Sequence, residues 1–291
     1  MNPQTKGFLF ATIGALSAAL FFVPYKKALE STEPLVFILA VYLIGFVLSL
    51  SGSVVKREAL SYNKKTLWGA AVFGLLSVVG NYAIGRSMLG IDPAITVVLT
   101  RVQVIMVMYL GWFFLKEQLT PLLVPGAIIA LSGFVWMNYS ENLSVEGELI
   151  YYLWALGAAF CFGSSQVVMK SIIHDISPIT VNHLRLLLGS ACMCLVPGVV
   201  QSLMALQMEI WLLAAGSALF GPTISRLCYM YSIRYIPVSQ ATLFILLTPV
   251  FTMLVSLLVL DILPTTRQLT GGAVIMLGIL LPMGRLVWRK E

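Results

Sequence analysis

The chain has 291 residues, of which 59% are hydrophobic and only 10% charged, and its mean hydropathy is +0.94. So little polar surface cannot keep a folded domain in water, which excludes a soluble globular protein and makes length a poor guide to domain number. The formal net charge of +6 sits at the ends of apolar runs, so it reports membrane orientation rather than a nucleic-acid surface.

Apolar runs of about 20 residues, enough to cross ~30 Å of hydrocarbon, recur along the whole chain. They predict an all-α polytopic membrane protein with ten transmembrane helices. The spans fall near residues 7–25, 34–55, 67–89, 93–115, 121–139, 149–172, 177–200, 210–234, 237–260 and 267–287. The runs are continuously apolar rather than alternating, which excludes a β-barrel. The links at 90–92 and 235–236 are turns. The first run continues to Tyr25 without a small-residue cleavage site and more spans follow, so it is expected to stay as a span rather than leave as a signal peptide.

With the N-terminus inside, the cytoplasmic segments carry Lys6, Lys56, Arg57, Lys64, Lys65, Lys116, Lys170, Arg234, Arg285, Arg289 and Lys290. The opposite side carries Lys26, Lys27, Arg86 and Arg267, and the loop SENLSVEGE at 140–148 has three acids and no base. The positive-inside rule then puts both termini in the cytoplasm, as a multi-pass protein of a bacterial-type plasma (inner) membrane. The four cysteines, Cys161, Cys192, Cys194 and Cys228, all fall inside spans. Cys192 and Cys194 face different directions on a helix, so neither a metal nor another cofactor is expected.

The second half of the chain aligns with the first. An offset of 144 places Ala11, Ala15 and Ala19 on Ala155, Ala159 and Gly163, Pro34 on Pro178, Gly45 on Gly189, Pro93 on Pro237, and Glu117 on Asp261. An offset of 145 brings Gly126 and Gly133 onto Gly271 and Gly278, and one of 143 brings Lys27 onto Lys170. This pattern predicts duplication, with five-helix repeats at 1–142 and 143–291. Because five is odd, the halves must be inverted relative to each other, the arrangement that opens a central site alternately to either side.

By these boundaries no Asp or Glu lies in mid-span, but Arg101, Arg185 and Arg226 do. Each unpaired charge at that depth costs about 2.5–3.5 kcal/mol, so water or an anion must compensate it. Helical side chains lean toward the N-terminal end of their helix. Arg101 and Arg185 each lie ~12 Å from the end at which their span begins, so each either snorkels to water or faces a cavity. Arg226 lies in the inner half of a span that begins outside, and its lean carries it toward the midplane and a cavity. Thr96, Thr100 and Gln103 form one face of the fourth span, flanked by Arg101. Asn81, Asn182, Gln166 and Gln240 add neutral polar groups. Tyr25, Tyr82, Trp154, Tyr229 and Tyr231 are either cavity walls or packing and belt residues. His183 either packs or carries protons. Pro222, four residues before Arg226, predicts a bend beside that charge.

Four segments also resemble a known family. FGSSQVVMKS (Phe162–Ser171) resembles the W-G-S/T-x-F-x-x-x-K signature of EamA-type members of the drug/metabolite transporter (DMT) superfamily. SPITVNHLRLLLG (Ser177–Gly189) is similar to the S-P-x-x-x-x-x-x-R segment that follows it. IPVSQATLFILLTPVFTMLVSLLVLD (Ile236–Asp261) looks like the family's ninth span, and LKEQLT (Leu115–Thr120) like the close of its fourth. The first span lacks the Trp-Gly pair, and the ninth closes with LDIL. The resemblance implies ten helices, alternating access, and movement of small organic metabolites. It also implies that Ser164 and Gln166 line the cavity and that Arg185 is the second-segment arginine.

The residues and the resemblance together point to a secondary transporter of a small anionic or zwitterionic metabolite, an amino acid or carboxylated solute, working by export or exchange. Arginine suits such a solute because its planar fork makes two charge-assisted hydrogen bonds to a carboxylate or phosphate. The alternatives are a transporter of phosphate-ester or nucleotide-like metabolites and a non-transporting sensor or assembly subunit. An enzyme is not expected, since the sequence has two histidines and no D-x-x-x-D, P-loop or H-E-x-x-H pattern. The candidate substrate residues are Arg226, Arg101, Arg185, Gln103, Thr100, Asn81, Tyr82, Ser164, Gln166 and Tyr229. The expected partners are the metabolite and the lipid bilayer, with no nucleic acid, and the protein is a monomer or homodimer.

Overall fold

The computed structural model describes residues 2–56, 64–91, 93–139, 148–260 and 263–288, and all regular structure within them is helical. Arg57, the acidic loop at 140–147, Asp261 with the LDIL turn at 261–262, and residues 289–291 lie outside the described residues.

The helices begin and end where local chemistry predicts. Helix α1 (Pro3–Ala28) opens on Asn2, whose side chain accepts from the Gln4 amide at 3.4 Å, with proline at the first helical position. After α2 (Pro34–Lys56) and α3 (Lys64–Ser87), one apolar stretch divides into α4 (Pro93–Thr100) and α5 (Gln103–Leu115), with Arg101 at the break. Helix α5 closes on Lys116, which takes a left-handed conformation at φ 55°. Then follow α6 (Leu123–Asn138), α7 (Leu149–Ile172) and α8 (Pro178–Cys194), the last opened by Ser177 and Pro178. The expected span to residue 200 is shorter than predicted. Pro197 cannot continue the helix, Gly198 turns at φ 83°, and a separate α9 (Val199–Met204) begins there.

Helix α10 (Met208–Ala218) runs into a π-helical turn at Leu219–Ser225 that contains Pro222, and α11 (Arg226–Tyr235) continues from it. Helix α12 (Val238–Leu243) passes through a 3-10 turn into α13 (Thr248–Leu260), and α14 (Thr266–Trp288) completes the chain. Among the described residues, six stretches are long and apolar enough to cross a bilayer: Pro3–Tyr25, Leu67–Ser87, Ile95–Leu115, Leu149–Ile172, Met208–Tyr235 and Val238–Leu258. The chain is therefore a polytopic helical membrane protein. Pro34–Leu50 and Leu123–Asn138 are shorter apolar helices.

Two compact units form, and neither is a simple half of the sequence: Met1–Val78 with Val168–Tyr235, and Val79–Val167 with Ile236–Glu291. In the first unit, Phe37, Ala40 and Val41 of α2 pack on Ile210, Ala214 and Ala218 of α10. The α1 alanines Ala11, Ala15 and Ala19 are buried. Helices α2 and α8 approach closely: a Cβ on Gly45 would lie 3.4 Å from Leu186, and one on Gly189 only 2.6 Å from the Tyr42 ring. The offset of 144 carries one of these contacts onto the other, Gly45 onto Gly189 and Tyr42 onto Leu186.

In the second unit, α6 and α14 meet backbone to backbone. A Cβ on Gly126 would lie 2.5 Å from the Gly278 carbonyl, and one on Gly133 lies 2.8 Å from that of Gly271. Only glycine permits such an approach, which is what small-residue seams provide between membrane helices. Here the offset of 145 exchanges the two contacts.

Candidate functional site

Three of the expected residues, Arg226, Arg185 and Tyr229, come together within the first unit. Arg185 lies two turns into α8 and is 8% exposed, so its charge is held in the protein rather than in water. Its Nη1 donates to the Tyr42 hydroxyl at 3.2 Å and its Nη2 to Asn182 Oδ1 at 3.3 Å, while Nε is buried without a partner. The guanidinium also lies 5.3 Å from the centroid of the Tyr42 ring.

Arg226 is the first residue of α11, immediately after the π-helical turn. Its guanidinium lies over the Phe73 ring at 5.2 Å and the Tyr229 ring at 5.9 Å. Its Nε is buried and unpartnered. Asn182 links Arg185 to the Pro222 carbonyl, four residues before Arg226, and among the described residues no carboxylate pairs with either guanidinium. Cation–π contacts contribute about 0.5–2 kcal/mol each. The two contacts of Arg226 together are comparable with the cost of about 2.5–3.5 kcal/mol for a cation at membrane depth, but the rings bring no net negative charge to the site. His183 takes no part in this pairing and stacks on Phe46 at 4.1 Å.

The π turn explains how Arg226 is aimed. Proline has no N–H to give, and the Arg226 N–H reaches the Gly221 and Thr223 carbonyls, passing over that of Pro222. Side chains from two other helices hold carbonyls of the turn: Ser17 of α1 donates to Phe220 O at 2.7 Å, and Asn182 of α8 donates to Pro222 O at 2.8 Å.

The other seven expected residues belong to the second unit. Arg101 sits over the Phe134 ring at 5.4 Å, with Nε buried and unpartnered. Thr100 spends its hydroxyl on the Val97 carbonyl at 2.8 Å, a helix-internal bond that leaves it little donor capacity. Gln103 is 6% exposed and its Oε1 has no partner. Gln166 meets the Thr242 hydroxyl at 2.6 Å, and Ser164 is half-buried on the same helix. Asn81 and Tyr82 are exposed on α3, with Tyr82 edge-on to Trp154 at 6.0 Å.

Sequence reasoning missed Tyr42 and Phe73, which lie on apolar helices without a polar pattern around them. The available signal for Tyr42 was the glycine pair: Gly45 and Gly189 mark the α2–α8 approach, and Tyr42 is one turn from Gly45. Three charged residues also have more definite roles than the sequence implied. Lys170, counted among the cytoplasmic cations, donates to the Ile233 carbonyl at the end of α11. Arg234 reciprocates at the end of α7, donating to Ile173 O at 2.9 Å and Ile176 O at 3.0 Å. Each cation satisfies the orphan carbonyls of the other helix. Glu117 of the LKEQLT segment caps α12, accepting from Val238 N at 2.7 Å, Ser239 N at 3.3 Å and Ser239 Oγ at 2.9 Å. Among the described residues, no His, Cys, Asp or Glu group is arranged to hold a metal.

A profile of the EamA-like transporter family matches the chain twice, over residues 5–139 and 149–283. The protein named Uncharacterized transporter YyaM of Bacillus subtilis (strain 168) is 23% identical over 253 residues, covering 82% of this chain and 78% of its own. An Uncharacterized transporter of Archaeoglobus fulgidus is 27% identical over 179 residues, 60% of this chain and 62% of that one. A solved crystal structure shares the fold with a TM-score of 0.79 over 97% of this chain and 99% of its own, at 16% identity.

Proposed function

The chain belongs to the EamA-like transporter family, a branch of the DMT superfamily, and from that premise we propose that it moves a small organic anion past the Arg185–Arg226 pair by alternating access. The observation that carries the reading is two buried guanidinium groups linked through Asn182 and the Pro222 turn, with no carboxylate paired to either among the described residues. An anion supplies the missing charge, and a carboxylate matches the planar fork of arginine in two parallel hydrogen bonds. A polyamine or quaternary ammonium solute meets repulsion there instead.

Carboxylated metabolites and amino acids are the first substrate class. Phosphate esters are the second, because a doubly charged head group matches two guanidinium groups. The architecture that goes with this function is ten spans in two inverted halves, 1–142 and 143–291, with both termini in the cytoplasm of a bacterial-type inner membrane. Two equal matches to one family profile support it. So do the pairs of helix contacts that the repeat offset exchanges. Flux is by export or exchange; with no mid-span carboxylates beside the arginines among the described residues, exchange is favoured over proton coupling.

Reconstituted protein carrying Arg226→Gln is the direct test. Counterflow of a carboxylated solute should fall to the level of empty liposomes while the variant still inserts and migrates as a folded species. Undiminished counterflow would remove Arg226 from the transport site.

A further inference from the structure

We infer that Asn182 is a positioning residue for the arginine pair: its single amide ties Arg185 to the π-helical turn from which Arg226 projects. This rests on the reading of Arg185 and Arg226 as an anion site. It goes beyond that reading by naming the group that sets the bearing of both arginines.

Asn182 is 0% exposed on α8, one turn before Arg185. Both halves of its amide are used, Nδ2 on the Pro222 carbonyl at 2.8 Å and Oδ1 on Arg185 Nη2 at 3.3 Å. The orientation of the amide is forced by chemistry, because a guanidinium only donates and a carbonyl only accepts. Neither Asp nor Leu can make both bonds: a carboxylate has no N–H for Pro222 O, and an alkyl chain has neither group.

The Pro222 carbonyl is the one that the Arg226 N–H passes over in the π turn. Relaxing that turn to α-helical hydrogen bonding would change the register by one residue, a rotation of about 100° for Arg226 relative to α10. Asn182 and Ser17 both hold carbonyls of this turn. Pro222 is further wedged against α2, its ring 3.2 Å from where a Gly45 Cβ would stand. Of these contacts, only the one from Asn182 also reaches a site arginine. Losing it releases Arg185 at Nη2 and unpins the turn that aims Arg226 over Phe73 and Tyr229.

The test uses the purified full chain in detergent, titrated calorimetrically with succinate, L-glutamate and glycerol 3-phosphate. The variants are Asn182→Asp, Arg185→Gln, Arg226→Gln and the Asn182→Asp/Arg185→Gln double. The wild type should bind at least one probe. Asn182→Asp should weaken that binding at least tenfold, because the new carboxylate pairs with Arg185 and repels Pro222 O. In the double variant the two losses should combine to clearly less than their product, since much of the Asn182 effect acts through Arg185. Wild-type affinity in Asn182→Asp, or losses that simply multiply, overturns the positioning role. If both arginine variants bind as the wild type does, or no probe binds the wild type, the anion site itself fails and the inference falls with it. Should Asn182→Asp not fold, Asn182→Ser repeats the measurement with a side chain too short to bridge. A serine variant that also fails to fold assigns Asn182 to stability alone.

Discussion

Replacing Glu117 by alanine should be among the most destabilising single changes at the end of a span. Its carboxylate accepts from the Val238 and Ser239 amides and from the Ser239 hydroxyl, at 2.7, 3.3 and 2.9 Å. Val238 and Ser239 are both 0% exposed, so water has little access to the donors that the substitution would orphan. A buried unsatisfied donor costs about 1–3 kcal/mol, and the 3.3 Å contact is the weakest of the three. The two short bonds alone give about 2–6 kcal/mol. At about 2–4 °C per kcal/mol, thermal unfolding should shift down by roughly 4–24 °C. Glu117→Gln keeps one acceptor oxygen and loses the charge, so its shift should be about half as large. Tryptophan fluorescence of purified protein on heating reads both variants. A Glu117→Ala midpoint within 1 °C of the wild type (~0.5 kcal/mol or less), or a Gln variant below the Ala variant, would refute the capping argument.

Two further predictions concern packing and helix ends. Gly278→Ala places a Cβ 2.5 Å from both the Ala130 amide nitrogen and the Gly126 carbonyl, so α6 and α14 must separate at a cost of about 1–3 kcal/mol. Gly157→Ala meets open space and should gain up to about 1 kcal/mol of helix propensity. Thermal unfolding of both should therefore move in opposite directions, and equal shifts would contradict the close-packed seam. Lys170→Met orphans the Ile233 carbonyl, and Arg234→Met orphans those of Ile173 and Ile176. Each should cost about 1.5–3 kcal/mol as a lost charge-assisted bond. A double variant should deviate from additivity, because both cations join the same two helices. Independent, additive losses would show that the two caps act separately.

The membrane class and the helical pattern were legible in the sequence because they depend on local quantities. Apolar runs as long as a bilayer is thick specify spans whatever they pack against. Helix starts at Asn2–Pro3 and Ser177–Pro178 follow from capping groups next to the helix they open. The bend at Pro222 was also local, since a missing N–H is a property of one residue. The glycine matches of Gly126 and Gly133 with Gly271 and Gly278 indicated duplication, while the close approach these residues make emerged only from the packed helices.

Only the tertiary structure decided the partners. Arg226 was expected at a cavity from its lean along the helix, but its actual neighbours, Phe73 and Tyr229, depend on a π turn that rotates it out of α-helical register. Arg185 had two readings on sequence grounds, neither of which named Tyr42 and Asn182, which the approach of α2 and α8 brings to its guanidinium. Lys170 served only topology and the repeat, and Glu117 only the repeat and the LKEQLT segment, until the ends of α11 and α12 supplied their carbonyls and amides. The physical reason is common to all four. Burial in lipid is set by composition, which a sequence carries residue by residue. What satisfies a buried charge is set by which helix end or ring comes within about 3–6 Å of it, and that distance exists only once the helices have packed.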